Sequence, residues 1–257
     1  MPKLNTTIPT DAKPFKKTPK QIEAVRLISD VNHLYCMLYG GSRSGKTFLF
    51  VRSVFIRASK YPGSRHLILR LHFSHAKQSL WHDTIPKVLK LCFPGLAVNM
   101  NKQDWFIELE NGSQIWIGGL DDKERVEKIL GTEYCTIYFN ECSQLGWASV
   151  KMAVTRLAQV VEGCRKKLYF DCNPPNKRHW TYTVWMKKKD PETGQDLCKP
   201  HMYAAMRMNP TDNLTNLGEE YIDILDTLSE RDKKRFKDGE FLDDAEGSLF
   251  KYSDIIK

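Results

Sequence analysis

Residues 40–47 form a glycine-rich segment that fits the pattern G-x-x-x-x-G-K-[ST] without a gap. Its glycines let the backbone turn its N–H groups inward around a chain of phosphates, and the following helix start adds partial positive charge there. Lys46 would reach the β- and γ-phosphates of a nucleotide, and the Thr47 hydroxyl would bind Mg²⁺. The pattern predicts an ATP-binding loop that consists of Gly40, Gly41, Ser42, Arg43, Ser44, Gly45, Lys46 and Thr47.

Arg43 lies inside this loop and allows two interpretations. In the first, its guanidinium contacts the γ-phosphate from within the same subunit and assists catalysis. In the second, it is a solvent-exposed loop residue. The local sequence does not decide between them, so Arg43 is a candidate catalytic residue as well as part of the binding loop.

A glutamate follows the apolar segment TIYF, which predicts a buried strand that ends at Asn140 and Glu141. Ligands bind at the carboxyl ends of strands in an α/β sheet, so Glu141 is the predicted base that activates water. The alternative is an exposed glutamate at a strand end. The position before the base normally carries an aspartate that holds Mg²⁺ through water, but here it is Asn140. Its amide oxygen could still accept a hydrogen bond from a metal-bound water, without adding negative charge.

Asn173 ends a third apolar segment, KKLYFDCN, and precedes two prolines. At the edge of a sheet its amide could sense the γ-phosphate and pass that information to the next helix. The alternative is a turn in which Asn-Pro simply ends the strand, and the local sequence alone favours that alternative.

These segments need a framework of alternating strands and helices to bring them together. Asn111-Gly112, between the alternating segments WFIELE and SQIWIG, predicts a β-hairpin. Strands are predicted at 34–39, 66–73, 136–139, 166–173 and 201–208, and helices from about 46 and at 75–92, 148–161 and 218–237. The alternation predicts an α/β fold with a mostly parallel central sheet flanked by helices, plus a small C-terminal helical subdomain. This is the fold of a P-loop NTPase of the ASCE/RecA-like class.

Composition and charge limit the class of protein further. The formal net charge of +8 favours a polyanionic partner such as nucleic acid. The seven cysteines include no C-x-x-C pair, which argues against zinc and is typical of reduced thiols in the cytosol. The sequence has neither a signal peptide nor an apolar run of the ~20 residues that span a bilayer, so we expect a soluble protein without a membrane partner.

The predicted organisation has three parts. Residues 1–17 would form a flexible N-terminal arm, residues 18–208 the P-loop ATPase core, and residues 209–257 a helical lid or linker subdomain.

Together the segments resemble the ATPase domain of tailed-phage large terminase subunits over nearly the whole chain. The resemblance rests on Thr18-Pro19-Lys20-Gln21, YGGSRSGKT, LGTEYCTIYFNECSQL, DCNPPNKRHW and MNPTDN. It implies that Gln21 helps to recognise adenine and that Asn173 belongs to a coupling motif. Many relatives place an arginine directly before Gly131, and this chain does not, so Arg125 is the candidate for an arginine that acts across subunits.

The resemblance also implies a function. The chain would be an ATP- and Mg²⁺-dependent motor that moves double-stranded DNA into a procapsid, in the host cytoplasm. It would act as a homo-oligomeric ring on the capsid portal, together with a small terminase subunit. Relatives carry a nuclease domain after this one; the chain ends at Lys257, and we expect no nuclease activity from it. Two alternatives stay open: a helicase-like ATPase, and an assembly module that binds ATP but barely hydrolyses it, which Asn140 favours.

Overall fold

The structure is a computed structural model of the chain, and it describes residues 15–121 and 123–243. The strands in these ranges are β1 (Tyr35–Tyr39), β2 (Arg65–Arg70), β3 (Val98–Asn101), β4 (Phe106–Leu109), β5 (Gln114–Gly119), β6 (Thr136–Phe139), β7 (Lys167–Cys172) and β8 (Tyr203–Arg207). The α-helices are α1 (Pro19–Ser29), α2 (Lys46–Lys60), α3 (Phe73–Ala76), α4 (Ile85–Cys92), α5 (Lys123–Leu130), α6 (Trp147–Val154), α7 (Trp180–Trp185), α8 (Leu214–Leu217), α9 (Glu220–Asp226) and α10 (Glu230–Phe236).

All of these strands lie in one sheet, in the order β3-β4-β5-β2-β6-β7-β1-β8. The six strands from β5 to β8 in that order are parallel to one another, whereas β4 pairs antiparallel with both β3 and β5. Strand β7 lies between β1 and β6, so one strand separates the strand before the glycine-rich loop from the strand before Glu141. The parallel strands end at one edge of the sheet, which brings together segments that are far apart in sequence.

Apolar side chains cover both faces of the sheet. On one face Phe50 of α2 packs between Tyr138 and Tyr169, at ring-centroid distances of 5.1 and 4.9 Å. On the other face Phe139 and Phe170 stack at 4.8 Å, beneath the tryptophans of α7. Because both faces are covered, the strands read as continuous apolar runs, and a polar residue within one of them is exceptional.

Several predicted elements have different bounds. The strand predicted at 66–73 ends at Arg70, and the following helix begins at Phe73 rather than at 75. That helix contains a π-helical stretch, Lys77–Thr84, just before Pro86. Proline lacks an N–H and collides with the carbonyl of the preceding turn, and the widened turn accommodates it. Strand β3 and helix α7 were not predicted.

The helix predicted at 148–161 is wrong beyond Val154. The Thr155 hydroxyl donates to the carbonyl of Met152 at 2.7 Å, and the carbonyl of Arg156 accepts from the nitrogen of Tyr134 at 2.8 Å. The chain therefore leaves the helix to pair with the segment that leads into β6.

The predicted N-terminal arm falls mostly outside the described residues, which begin at Phe15. The Phe15 ring lies 4.7 Å from the Phe48 ring, so this end of the arm contacts the core. At the other end, α8, α9 and α10 form the predicted helical appendage. No helix in the described part of the chain has the length and apolar character to cross a membrane.

Candidate active site

The glycine-rich loop connects β1 to α2 and needs glycine at specific positions. Gly40 and Gly45 have φ angles of +136° and +90°, which L side chains rarely adopt. A Cβ on Gly40 would lie 2.1 Å from the carbonyl oxygen of Met208, and one on Gly45 would lie 2.9 Å from Nε2 of Gln21. The loop is therefore shaped by its glycines and by close neighbours from β8 and α1.

Lys46 is buried at the start of α2, with its ammonium inside the loop. It donates to the carbonyl of Gly41 at 2.6 Å and to the hydroxyl of Ser44 at 3.0 Å, so the buried charge has partners. Burial lowers the pKa of Lys46, whereas the nearby carboxyl groups of Asp171 and Glu141 raise it. The ammonium thus occupies the centre of the predicted phosphate site.

Asn173 bridges two residues of the loop. Its Nδ2 donates to the hydroxyl of Ser42 at 2.9 Å, and its Oδ1 accepts from Nζ of Lys46 at 3.5 Å. These contacts place Asn173 beside the loop, and its role as a sensor stays a prediction.

Glu141 follows β6 in a left-handed backbone conformation, with φ of 52°. Its backbone nitrogen donates to Oδ1 of Asp171 at 2.8 Å, which holds this turn in place. Burial raises the pKa of the Glu141 carboxyl, and the charge of Asp171 raises it further, whereas Arg70 and Lys46 lower it. A raised pKa brings a carboxylate closer to the proton affinity that suits a general base.

Asp171 is the main residue that the sequence analysis did not identify. It is the second-last residue of β7, it is 1% exposed, and its Oδ2 accepts from the hydroxyl of Thr47 at 2.6 Å. The loop threonine therefore does have a carboxylate beside it. A charged residue within the otherwise apolar segment LYFDC was the available signal.

The Asn140 side chain is oriented by charged neighbours on both sides. Its Nδ2 lies 3.0 Å from Oδ1 of Asp171, and its Oδ1 accepts from the guanidinium of Arg70 at 3.2 Å. The opposite orientation would place the amide oxygen against a carboxylate and the amide nitrogen against a guanidinium. The oxygen that was predicted to receive a metal-bound water is thus directed at Arg70.

The remaining predicted residues lie in different surroundings. Arg43 is exposed, with φ of 56°, and both interpretations of it stay open. Gln21 is buried; its Oε1 accepts from the nitrogen of Thr18 at 3.1 Å and its Nε2 donates to Oδ1 of Asn213 at 3.0 Å. Arg125 lies on α5, and its side chain is outside the described part of the structure.

Two further arginines that sequence reasoning missed act on the predicted base. Arg70 ends β2 and Arg235 lies on α10, and both lower the pKa of Glu141. The Nε atom of each is buried without a hydrogen-bond partner among the described residues. The predicted base thus lies among cations from separate parts of the chain.

The C-terminal appendage contacts the glycine-rich loop directly. The backbone nitrogen of Ser42 donates to the carbonyl of Phe236 at 2.7 Å, and that of Gly41 donates to Oδ1 of Asn209 at 3.1 Å. A Cβ on Gly41 would lie 2.5 Å from the Phe236 carbonyl oxygen, so the approach requires glycine here. The appendage therefore packs directly on the backbone of the loop.

The oxygen donors at this edge suit Mg²⁺. Mg²⁺ prefers oxygen ligands and is usually bound by one or two protein groups together with waters and substrate phosphates. The Thr47 hydroxyl and the Asp171 carboxylate provide such a set. Among the described residues no group of three or more His, Cys, Asp or Glu could hold a metal ion, and a site of this kind does not need one.

The fold and the site define a P-loop NTPase of the ASCE class. The glycine-rich loop follows one parallel strand, the glutamate follows a strand two places away, and helices cover both faces of the sheet. A sequence profile of the phage terminase large subunit matches residues 32–240, so the chain belongs to the phage terminase large subunit family. No curated protein sequence matches the chain closely enough to indicate a relative.

Solved large terminases share this fold. The chain is similar to a large terminase from a thermophilic bacteriophage, with a TM-score of 0.71 and 17% identity over 89% of this chain and 54% of the other. It is also similar to the ATPase domain of the Thermus phage P74-26 large terminase, with a TM-score of 0.59 and 13% identity over 90% of this chain and 94% of that domain. For the HK97 bacteriophage large terminase the TM-score is 0.60, with 9% identity over 91% of this chain and 52% of the other. The chain thus spans about half the length of two of these proteins, and at such identities the likeness concerns the fold.

Proposed function

We propose that this chain is a Mg²⁺-dependent ATPase that moves double-stranded DNA into a procapsid. The observation that carries the proposal is the convergence of Lys46, Thr47 and Glu141 at one edge of the sheet, with Asp171 between them. A nucleotide-binding loop alone would bind ATP, but a partly buried glutamate with a raised pKa beside it provides a base for hydrolysis.

In the proposed reaction ATP binds with its phosphates on the loop, where Lys46 contacts the β- and γ-phosphates. Glu141 accepts a proton from water as the water oxygen attacks the γ-phosphorus and the bond to ADP breaks. Mg²⁺ would offset the charge of the phosphate oxygens, and Thr47 is the loop residue that would hold it. A similar large terminase, from a thermophilic bacteriophage, has been solved in complex with ADP, which supports the proposal indirectly.

A route from the site to the C-terminal segment supports coupling to movement. Asn173 contacts the loop, and two residues further on the carbonyl of Pro175 accepts from the nitrogen of Leu242 at 3.2 Å. The nitrogen of Lys177 in turn donates to the carbonyl of Leu242 at 2.9 Å. A shift of Asn173 when the γ-phosphate leaves would therefore be passed to residues near 242. The net charge of +8 suits a DNA partner.

The proposal also includes assembly of several copies of the chain. Membership of the terminase family supports a homo-oligomeric ring on the capsid portal, with a small terminase subunit as partner, in the host cytoplasm. In such a ring Arg125 of one subunit would contribute to the site of its neighbour, because an added arginine stabilises the charge of the transition state.

The test is steady-state phosphate release without DNA, with single-stranded DNA and with double-stranded DNA in the presence of purified portal. We expect double-stranded DNA to increase the turnover. Lys46→Ala should abolish turnover because ATP binding is lost. Lys102→Ala, which changes an exposed residue, is the control and should leave turnover unchanged. Preference for single-stranded DNA with strand separation would identify a helicase-like ATPase instead. Tight ATP binding without turnover in every condition would identify an assembly module.

A further inference from the structure

The carboxylate beside the loop threonine stands at the end of β7, not after β6. P-loop NTPases generally have a metal-side aspartate after the strand that precedes the catalytic base. Here that position holds the neutral Asn140, whereas a carboxylate, Asp171, stands on the adjacent strand β7. Its Oδ2 lies 2.6 Å from the hydroxyl of Thr47, the group that would hold Mg²⁺.

We propose that Asp171 is the carboxylate of the magnesium site and that Asn140 positions it. This rests on the proposed function, since it names the residue that provides the negative charge for the metal that accompanies ATP.

Asp171 has no cationic side chain at ion-pair distance among the described residues, although the charge of Lys46 acts on it from farther away. The carboxylate is 1% exposed and accepts hydrogen bonds from the Thr47 hydroxyl, the Asn140 amide and the Glu141 backbone nitrogen. All three donors are neutral. In the described part of the chain no Lys, Arg or His forms an ion pair with Asp171. A buried carboxylate is unfavourable without a cation in direct contact, and a divalent ion beside Thr47 would provide that contact.

Asn140 is suited to hold Asp171 rather than the metal. Its Nδ2 lies 3.0 and 3.3 Å from the two carboxylate oxygens of Asp171 and 3.1 Å from the hydroxyl of Tyr138. Its oxygen is directed at Arg70 instead. These contacts fix the rotation of the carboxylate so that one oxygen faces Thr47.

The pair also explains why the usual aspartate is missing. An aspartate at position 140 would place a second carboxylate where the amide nitrogen now lies, 3.0 Å from Asp171. Two carboxylates at that distance repel each other. Aspartate on β7 and asparagine on β6 therefore form a matched set that keeps a single charge beside Thr47.

The test measures metal binding directly. Mn²⁺ affinity is followed by electron paramagnetic resonance in the presence of ADP, and ADP affinity is measured by calorimetry with Mg²⁺ and with EDTA. We expect Asp171→Asn to weaken Mn²⁺ binding by ~10–100-fold, as loss of an oriented group at a metal site typically does. ADP affinity in EDTA should change little. The control Asp196→Asn removes an exposed carboxylate and should change neither affinity.

Two further variants distinguish charge from folding. Asn140→Asp should not tighten Mn²⁺ binding, because its carboxylate repels Asp171. The double variant Asn140→Asp/Asp171→Asn returns the charge to β6 and should recover Mn²⁺ affinity relative to Asp171→Asn alone. Parental Mn²⁺ affinity in Asp171→Asn would overturn the inference, as would tighter binding by Asn140→Asp. If the parental chain bound ADP with the same affinity in Mg²⁺ and in EDTA, the proposed function would be overturned instead.

Discussion

The side-chain nitrogen of Gln21 donates to the side-chain oxygen of Asn213 at 3.0 Å, which joins α1 to the start of the C-terminal appendage. Asn213 also donates to the carbonyl of Arg43 at 2.9 Å. Helix α1, which precedes the glycine-rich loop, and the segment that follows β8 thus meet beside Arg43 of that loop. The contact uses the side-chain nitrogen of Gln21, the residue that was predicted to recognise adenine.

Replacing Asn213 with Ala should loosen this junction. The change leaves the buried amide of Gln21 and the carbonyl of Arg43 without partners, at a cost of about 1–3 kcal/mol each where water cannot replace them. We expect a lower free energy of unfolding in urea and weaker ATP binding by calorimetry. Asn216→Ala is the matched control, because Asn216 donates to Asn213 from the same segment but does not contact the loop. Equal effects of the two variants on ATP binding would contradict the assigned role of the junction.

Replacing Glu141 with Gln should separate binding from chemistry. The amide retains the shape of the side chain but cannot accept the proton from water, so turnover should fall by ~10²-fold or more. ATP affinity and the unfolding midpoint should remain near the parental values. Glu127→Gln, on the exposed surface of α5, is the control. Parental turnover in Glu141→Gln would place the base elsewhere.

Replacing Arg125 with Ala tests assembly. If neighbours complete each other's sites, activity per molecule should rise with protein concentration, and Arg125→Ala should abolish that rise while leaving ATP affinity intact. Specific activity over a dilution series, with sedimentation at the same concentrations, measures this. Arg43→Ala is the comparison, since an arginine that acts within its own subunit should lower activity equally at every dilution. A flat parental series would argue that each domain is complete alone.

His66 makes stability depend on pH. Its ring is buried, bonded to the hydroxyls of Thr136 at 2.8 Å and Ser64 at 2.9 Å, and burial together with Arg57 lowers its pKa from 6.5 to about 3. The unfolded chain takes up a proton below pH 6.5 while the folded chain does not, so stability falls as pH drops from 6.5 towards 3. We expect the parental chain to lose about 2 kcal/mol more than His66→Asn between about pH 7 and pH 5, measured by urea unfolding. Equal losses in the two proteins would contradict the buried neutral ring.

Site residues that lie in one contiguous segment could be predicted from the sequence, whereas those brought together by the fold could not. The loop at 40–47 is contiguous, and Glu141 follows a recognisable apolar strand, so both could be placed in advance. The role of Asp171 depends on β7 lying between β6 and β1, and strand order is not written in any one segment. Arg235 acts on Glu141 only because the C-terminal helices fold back against the loop, where the nitrogen of Ser42 donates to the carbonyl of Phe236.

The backbone conformation of Glu141 sets the stability of the fold against the proposed activity. A left-handed conformation at a residue other than glycine costs of order 1–3 kcal/mol, and the surrounding structure must hold it. The same residue carries a carboxyl whose charged form is disfavoured by burial. Selection for heat resistance alone would therefore favour glycine at this position, which would give a more stable protein without the proposed base. Stability and the proposed hydrolysis thus place opposite demands on position 141.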